Sequence, residues 1–253
     1  MKRFSIMLAY LLGFLAILAL GGSKKPANAA SPVKKTTRTS APLSSSSSKP
    51  ASKPSSAPAS APVRPVPYLR GKRVYFIGDS LSAGPTTAGG QLVKLLREAG
   101  AIVTVNALVS RSARSFWAGS TKKEAARGEN QLDAAINDGM DICIIFLGTN
   151  DLGGLAAKTP LSSTLKPFRA MVTQLRLAGV DVWGIGAPHY KARPEFDPFE
   201  KQLRTGLESQ SIYGADHFVD AGPLTGGYWM HAGGSTAEKF AGRLFAALVT
   251  KMD

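Results

Sequence analysis

From Tyr68 to the C-terminus, short apolar runs of strand length alternate with stretches whose apolar residues recur every three or four positions. Arg73–Ile77 has the β-branched and aromatic content of a buried strand. Gly90–Gly100 has helical spacing and ends on a glycine stop. The same reading gives a second strand over Ala101–Leu108 and a polar-faced helix over Lys122–Asn137, carrying Ala125, Leu132, Ala135 and Ile136. A third strand spans Ile142–Leu147, an amphipathic helix Leu161–Leu177, and a fourth strand Val180–Ile185. Phe199–Leu207 is helical, His217–Val219 is a short fifth strand, and Ser235–Lys251 is a closing helix that opens on the capping-box form Ser235-Thr236-Ala237-Glu238. This alternation predicts an α/β fold, a parallel sheet with helices on both faces. In such folds the loops at the carboxyl ends of the strands build the site.

The alternation stops before Tyr68. Met1-Lys2-Arg3 is a basic start, Phe4–Leu20 is uncharged and apolar, and Ala27-Asn28-Ala29 has the spacing of a signal-peptidase site. Residues 1–29 therefore read as an export signal cleaved after Ala29, with an uncleaved N-terminal anchor as the alternative. Residues 30–67 are almost entirely Ser, Ala, Pro, Lys, Thr and Val, with a serine tract at Ser44–Ser48. Such a segment buries too little apolar surface to offset its chain entropy, so it is expected to be a disordered linker. Extended, it would reach roughly 100 Å, which suits a domain (residues 68–253) held away from a membrane. The expected location is outside the cytoplasm, periplasmic or secreted, or tethered by the N-terminal segment.

Charge changes this picture only in the tail. The formal net charge is +14, but 13 of the 31 Lys and Arg lie within residues 1–73, which contain no acid. The remaining 18 face all 17 Asp and Glu, so the domain is close to neutral. The basic tail suits contact with an anionic envelope surface, or simply keeps a linker soluble. No nucleic-acid-binding motif is present. The single cysteine, Cys143, lies inside the third apolar run and reads as a small core hydrophobe; one cysteine allows no internal disulfide.

The chemistry-bearing residues sit where strands end. Gly78-Asp79-Ser80-Leu81-Ser82 follows strand one as a tight turn that exposes a serine hydroxyl beside backbone N–H groups. Gly148-Thr149-Asn150-Asp151 follows strand three; Asn150 either caps the next segment or points its amide at a developing oxyanion. A nucleophilic serine needs a base, and there are three histidines. His217 begins strand five, at the amino edge of the sheet. His189 lies at the carboxyl edge in a loop and is a candidate substrate contact. His231, just before the closing helix, is the preferred base.

Taken together, the Gly-Asp-Ser-Leu-Ser turn, the Gly-Thr-Asn-Asp turn and the histidine before the last helix resemble the GDSL/SGNH hydrolases from Arg73 to the C-terminus. The resemblance implies a three-layer α/β/α, flavodoxin-like domain with five parallel strands. It implies esterase, lipase or carbohydrate-acetylesterase chemistry with no metal or organic cofactor. Carried over, Ser80 would be the nucleophile and His231 the general base, with the Ser80 N–H and the Asn150 side chain as oxyanion donors. Two departures stand out. The family glycine after strand two is missing from Asn106–Ser112, leaving the Ser110 or Arg111 N–H as the third donor. The family aspartate three residues before the histidine is Tyr228 here. Asp220, or a backbone carbonyl, is left to orient the imidazole.

These readings point to a hydrolase acting on an acyl or acetyl ester through an acyl-enzyme. The linker suggests a saccharide or cell-envelope substrate, as do the aromatics Tyr228 and Trp229 beside the base, with Trp117 as a further wall. The rival is a binding or scaffolding module on the same fold with degraded catalysis.

Overall fold

The computed structural model describes residues 66–117, 131–190, 194–224 and 234–252. All of them fall within the unit Pro58–Asp253. The expected signal and most of the linker lie outside the described residues, as do the first nine positions of the Lys122–Asn137 helix. Among the described residues no helix is long and apolar enough to cross a membrane.

Five strands, β1 (Arg73–Gly78), β2 (Ile102–Ala107), β3 (Ile142–Phe146), β4 (Asp181–Ile185) and β6 (Phe218–Val219), form one all-parallel sheet in the order β2-β1-β3-β4-β6. Two further two-residue strands, β5 (His189–Tyr190) and β7 (Pro223–Leu224), pair in parallel beside it. β3 is buried at every position, Cys143 included, as a continuous apolar run between two neighbours should be. β2 is the edge strand and keeps only Val103 fully buried.

The helices are α1 (Ala88–Glu98), α2 (Ala113–Trp117), α3 (helical residues 131–137), α4 (Thr149–Ala156), α5 (Leu161–Leu177), α6 (Asp197–Glu208) and α7 (Gly234–Met252). α1 packs on α7, while α2, α4 and α6 pack around α5, giving the expected three layers. α5 has the predicted bounds although Pro167 lies inside it, because its buried stripe Leu165, Phe168, Met171, Val172 and Leu175 is intact.

The strand order fixes where a site can form. The chain leaves β1 to build β2 on one side, then crosses back to build β3 on the other. β1 and β3 thus flank the topological switch point, whose carboxyl ends bear the crevice of doubly wound folds. Ser80 follows one of these strands and Asn150 the other.

Candidate active site

The turn after β1 is shaped by Asp79. Its Oδ1 accepts the Leu81 N–H at 2.8 Å, and its carbonyl accepts the Ser82 N–H at 3.0 Å. This side-chain turn bypasses Ser80, whose half-buried side chain sits at its apex. α1 then docks on the turn, with the Gly89 N–H donating to the Leu81 carbonyl at 2.8 Å. A Cβ at Gly89 would lie 2.1 Å from Ser82 Oγ, so the approach requires glycine. Thr87 caps α1 by accepting the Gly90 N–H at 3.1 Å.

The turn after β2 is joined to β1, with the Leu108 N–H donating to the Gly78 carbonyl at 3.2 Å. Of the two donors expected here, the Arg111 N–H is engaged with the Leu108 carbonyl at 3.2 Å. Ser110 has φ 62°, the left-handed backbone that favours glycine. The residue in the glycine-like conformation is therefore Ser110, and of the two expected donors the Arg111 N–H is the one already engaged. The Arg111 guanidinium holds the Asn106 carbonyl at 2.6 Å and Oδ1 at 2.8 Å, and lies over the Phe116 ring at 5.1 Å. Arg111 thus acts on the turn itself.

After β3, Gly148 takes φ 129° and serves as the N-cap of α4. A Cβ there would come within 3.3 Å of Leu203. Asn150 is therefore not the cap but the second residue of the helix. Its Nδ2 donates to the Arg111 carbonyl at 2.9 Å, tying the turns after β2 and β3 together. Asp151 adds a second tie by accepting the Ala113 N–H at 3.0 Å.

Burial dominates the two carboxyls beneath this crevice. It pushes Asp79 up to about 7, with the neighbouring Asp151 charge adding to the rise and the Leu81 N–H and Thr149 hydroxyl opposing it. Burial likewise raises Asp151 to about 6 against the N–H groups of Ala113 and Arg114.

Sequence reasoning missed α2 and the anchoring role of Asp151. A signal for α2 exists: the Ser112 and Ser115 hydroxyls each accept the other's backbone N–H, at 3.0 and 2.9 Å. This is a capping box with serine in place of the usual acid or amide.

The histidines separate clearly. His217 closes a single 3-10 turn (Ala215–His217) just before β6 rather than beginning the strand. Its Nε2 lies 3.3 Å from Asp181 and its ring 4.7 Å from Trp183, at the amino edge as expected. His189 belongs to β5 and not to a free loop, because its backbone N–H is held by the Gly222 carbonyl at 3.0 Å. Its Nδ1 faces Asp197 at 3.5 Å and the buried Glu200 at 3.7 Å. Burial raises Glu200 above the ordinary carboxylate range, opposed by Arg204. Asp220 is exposed and engaged on both oxygens, by Arg204 Nη1 at 2.8 Å and by the Gly222 N–H at 2.9 Å. His231, Tyr228 and Trp229 lie outside the described residues. Ser80, Ser110, Arg111 and Asn150 thus gather at the carboxyl ends of β1 to β3, whereas His189 and Asp220 lie beyond β4 and β6. Among the described residues, no group of three or more His, Cys, Asp or Glu is placed to hold a metal ion.

The fold and these loops define a doubly wound α/β domain with a serine turn and an asparagine turn at its switch point. The chain belongs to the GDSL-like lipase/acylhydrolase family, whose model matches residues 76–243, and so to the carboxylic ester hydrolases. Its structure is similar to that of Axe2, an acetylxylan esterase from Geobacillus stearothermophilus, with a TM-score of 0.51 and 15% identity over 73% of this chain and 96% of that one. It is also similar to a carbohydrate esterase family 2 enzyme with a carbohydrate binding domain from Corynascus thermopiles (Myceliophthora fergusii). There the TM-score is 0.53, with 17% identity over 72% of this chain and 66% of that one. At these identities the likeness is one of fold. No curated protein matches the chain by sequence.

Proposed function

We propose that this chain is an exported serine ester hydrolase that acts through an acyl-enzyme on an acyl or acetyl ester of a saccharide or cell-envelope component. The observation that carries this reading is the hydrogen-bonded junction of the Ser80, Ser110 and Asn150 turns at the switch point. In the mechanism, Ser80 Oγ attacks the ester carbonyl while His231 takes the hydroxyl proton. The oxyanion is received by the Ser80 and Ser110 N–H groups and the Asn150 amide. The intermediate collapses, the C–O bond to the alcohol breaks, and His231 returns the proton to the departing alkoxide. Water then repeats the sequence to free Ser80.

The saccharide part is supported by two structural neighbours that are carbohydrate esterases. Export is supported by the basic start, the Phe4–Leu20 apolar run and the Ala27-Asn28-Ala29 site. A second reading, a binding module without turnover, is favoured by Tyr228 at the place of the usual aspartate.

The test that separates the two is labelling with a serine-reactive fluorophosphonate, together with hydrolysis of an aryl acetate. The hydrolase requires wild type to be labelled and active, and Ser80→Ala to lose both with its fold unchanged. Folded wild type that neither labels nor hydrolyses establishes the binding module instead.

A further inference from the structure

A groove along α5 has Asn150 on its wall at one end. It consists of two cavities of about 640 and 720 Å³ that share Trp117 and Lys166 on their walls. The first reaches from Asn150 past Arg114 to Ser163, and the second continues past Arg169 towards Leu177. Arg114, Lys166 and Arg169 are all exposed. Among the described residues none of the three is paired with a carboxylate. The one carboxylate on the wall, Asp151, is buried and holds the Ala113 N–H.

Among the described residues Arg169 has only the Ser211 hydroxyl, at 3.5 Å. This concentration of cations without a carboxylate partner among the described residues stands out in a domain with 18 basic and 17 acidic residues after position 73. Lys166 and Arg169 are three residues apart on one helix face, a separation of about 5–6 Å, close to one sugar ring. Trp117, half-buried where the cavities meet, offers an apolar face of the kind that stacks on a pyranose. Pro167 lacks an N–H, so the Ser163 carbonyl one turn earlier, on the same wall, cannot receive the usual helical bond.

We propose that this groove holds the alcohol portion of the substrate and that this portion is an acidic oligosaccharide, with carboxylates repeated along the chain. The assignment rests on the hydrolase reading for its direction. With the ester carbonyl at Asn150, the sugar chain extends past Trp117, and its carboxylates meet Arg114, Lys166 and Arg169 in turn.

The test is titration calorimetry of the full chain with a galacturonate tetramer, a neutral xylose tetramer and a glycerol-phosphate oligomer. Each is titrated into wild type and into the double variant Lys166→Gln/Arg169→Gln. The basic N-terminal segment is common to both proteins, so the difference between them reports the groove. The galacturonate tetramer should bind wild type at least about fivefold more tightly than the xylose tetramer. That preference should collapse in the variant, and also in wild type at high salt. Equal galacturonate affinity in the two proteins overturns the proposal. A groove-dependent preference for the glycerol-phosphate oligomer overturns the saccharide assignment. Aryl acetate hydrolysis by the same wild-type preparation keeps the two readings apart. Inactive protein that still shows groove-dependent binding removes the hydrolase and leaves the groove. Active protein whose variant binds equally well removes the groove alone.

Discussion

The side-chain amide of Asn150 donates to the main-chain carbonyl of Arg111 at 2.9 Å, across the carboxyl ends of β1 and its two neighbours. An amide nitrogen carries two hydrogens. One holds the turn after β2 in place, and in the proposed mechanism the other is given to the oxyanion formed at Ser80. In that mechanism one residue both builds the pocket and contributes to it. Asp151 repeats the building half through the Ala113 N–H, so two adjacent side chains on α4 set the position of a turn nearly forty positions earlier.

Asn150→Ala should accordingly lower kcat on an aryl acetate by about 10²–10³. It should reduce stability by about 1 kcal/mol through the lost hydrogen bond. The measurements are steady-state kinetics and urea denaturation. A variant with unchanged kcat would remove Asn150 from the oxyanion site, whatever its stability.

The parts legible in the sequence were those decided by burial. The apolar run of β3 and the periodic stripe of α5 appear where their patterns place them, and Pro167 does not disturb the latter. The family motifs placed Ser80 and Asn150 on neighbouring loops. What stayed hidden depends on contacts distant in sequence. Five-residue α2 is too short to show periodicity and is held by Asp151 from the first turn of α4. The pairing of His189 with Pro223 joins two strands of two residues each, too short to carry a pattern. The left-handed backbone of Ser110 follows from a turn closed between Leu108 and Arg111, not from its residue type.

That conformation makes Ser110 a position where glycine should do no harm. A left-handed backbone costs an ordinary residue roughly 1–2 kcal/mol, which offsets the entropy lost by ordering a glycine. Ser110→Gly should leave stability unchanged or raise it by up to about 1 kcal/mol, and Ser110→Val should lower it by about 1–2 kcal/mol. Chemical denaturation of both variants decides the matter. If glycine destabilises and valine does not, the turn is built differently.

Asp79 makes stability depend on pH in a definite direction. Its folded-state value of about 7 lies above the ordinary aspartate value of 3.8. Between those two pH values the native state keeps a proton that the unfolded chain has released, so stability declines as pH rises through this window. Asparagine keeps the acceptor for the Leu81 N–H and cannot ionise. The Tm of Asp79→Asn should thus fall less than that of wild type between pH 5 and pH 8. Asp151 adds to the rise at Asp79, so the difference reports Asp79 together with its coupling to Asp151. Parallel Tm curves would mean that Asp79 stays ionised in the fold.

The last prediction concerns the acid that would orient His231 in the proposed mechanism. The usual aspartate position is Tyr228. Asp220, the nearest alternative in sequence, already holds Arg204 on one oxygen and the Gly222 N–H on the other. It is thus committed to bracing the start of β7 against α6 and is poorly suited to binding an imidazole as well. If His231 is the base, it works without a dedicated carboxylate, and the imidazolium formed during acylation is under-stabilised. In a trypsin-type triad, neutralising that carboxylate costs about 10⁴ in kcat. Tyr228→Asp should therefore raise kcat/KM on a small activated ester, by at least about tenfold of that range. Asp220→Asn should leave the rate within about twofold of wild type while lowering Tm, because the loss falls on a surface ion pair with Arg204. Rates for both variants and for His231→Ala, with circular dichroism on each, form the full test. A large rate loss in Asp220→Asn without unfolding would make Asp220 the triad acid after all. An active His231→Ala would move the base elsewhere, and His189, facing Asp197 and Glu200, would be the next residue to replace.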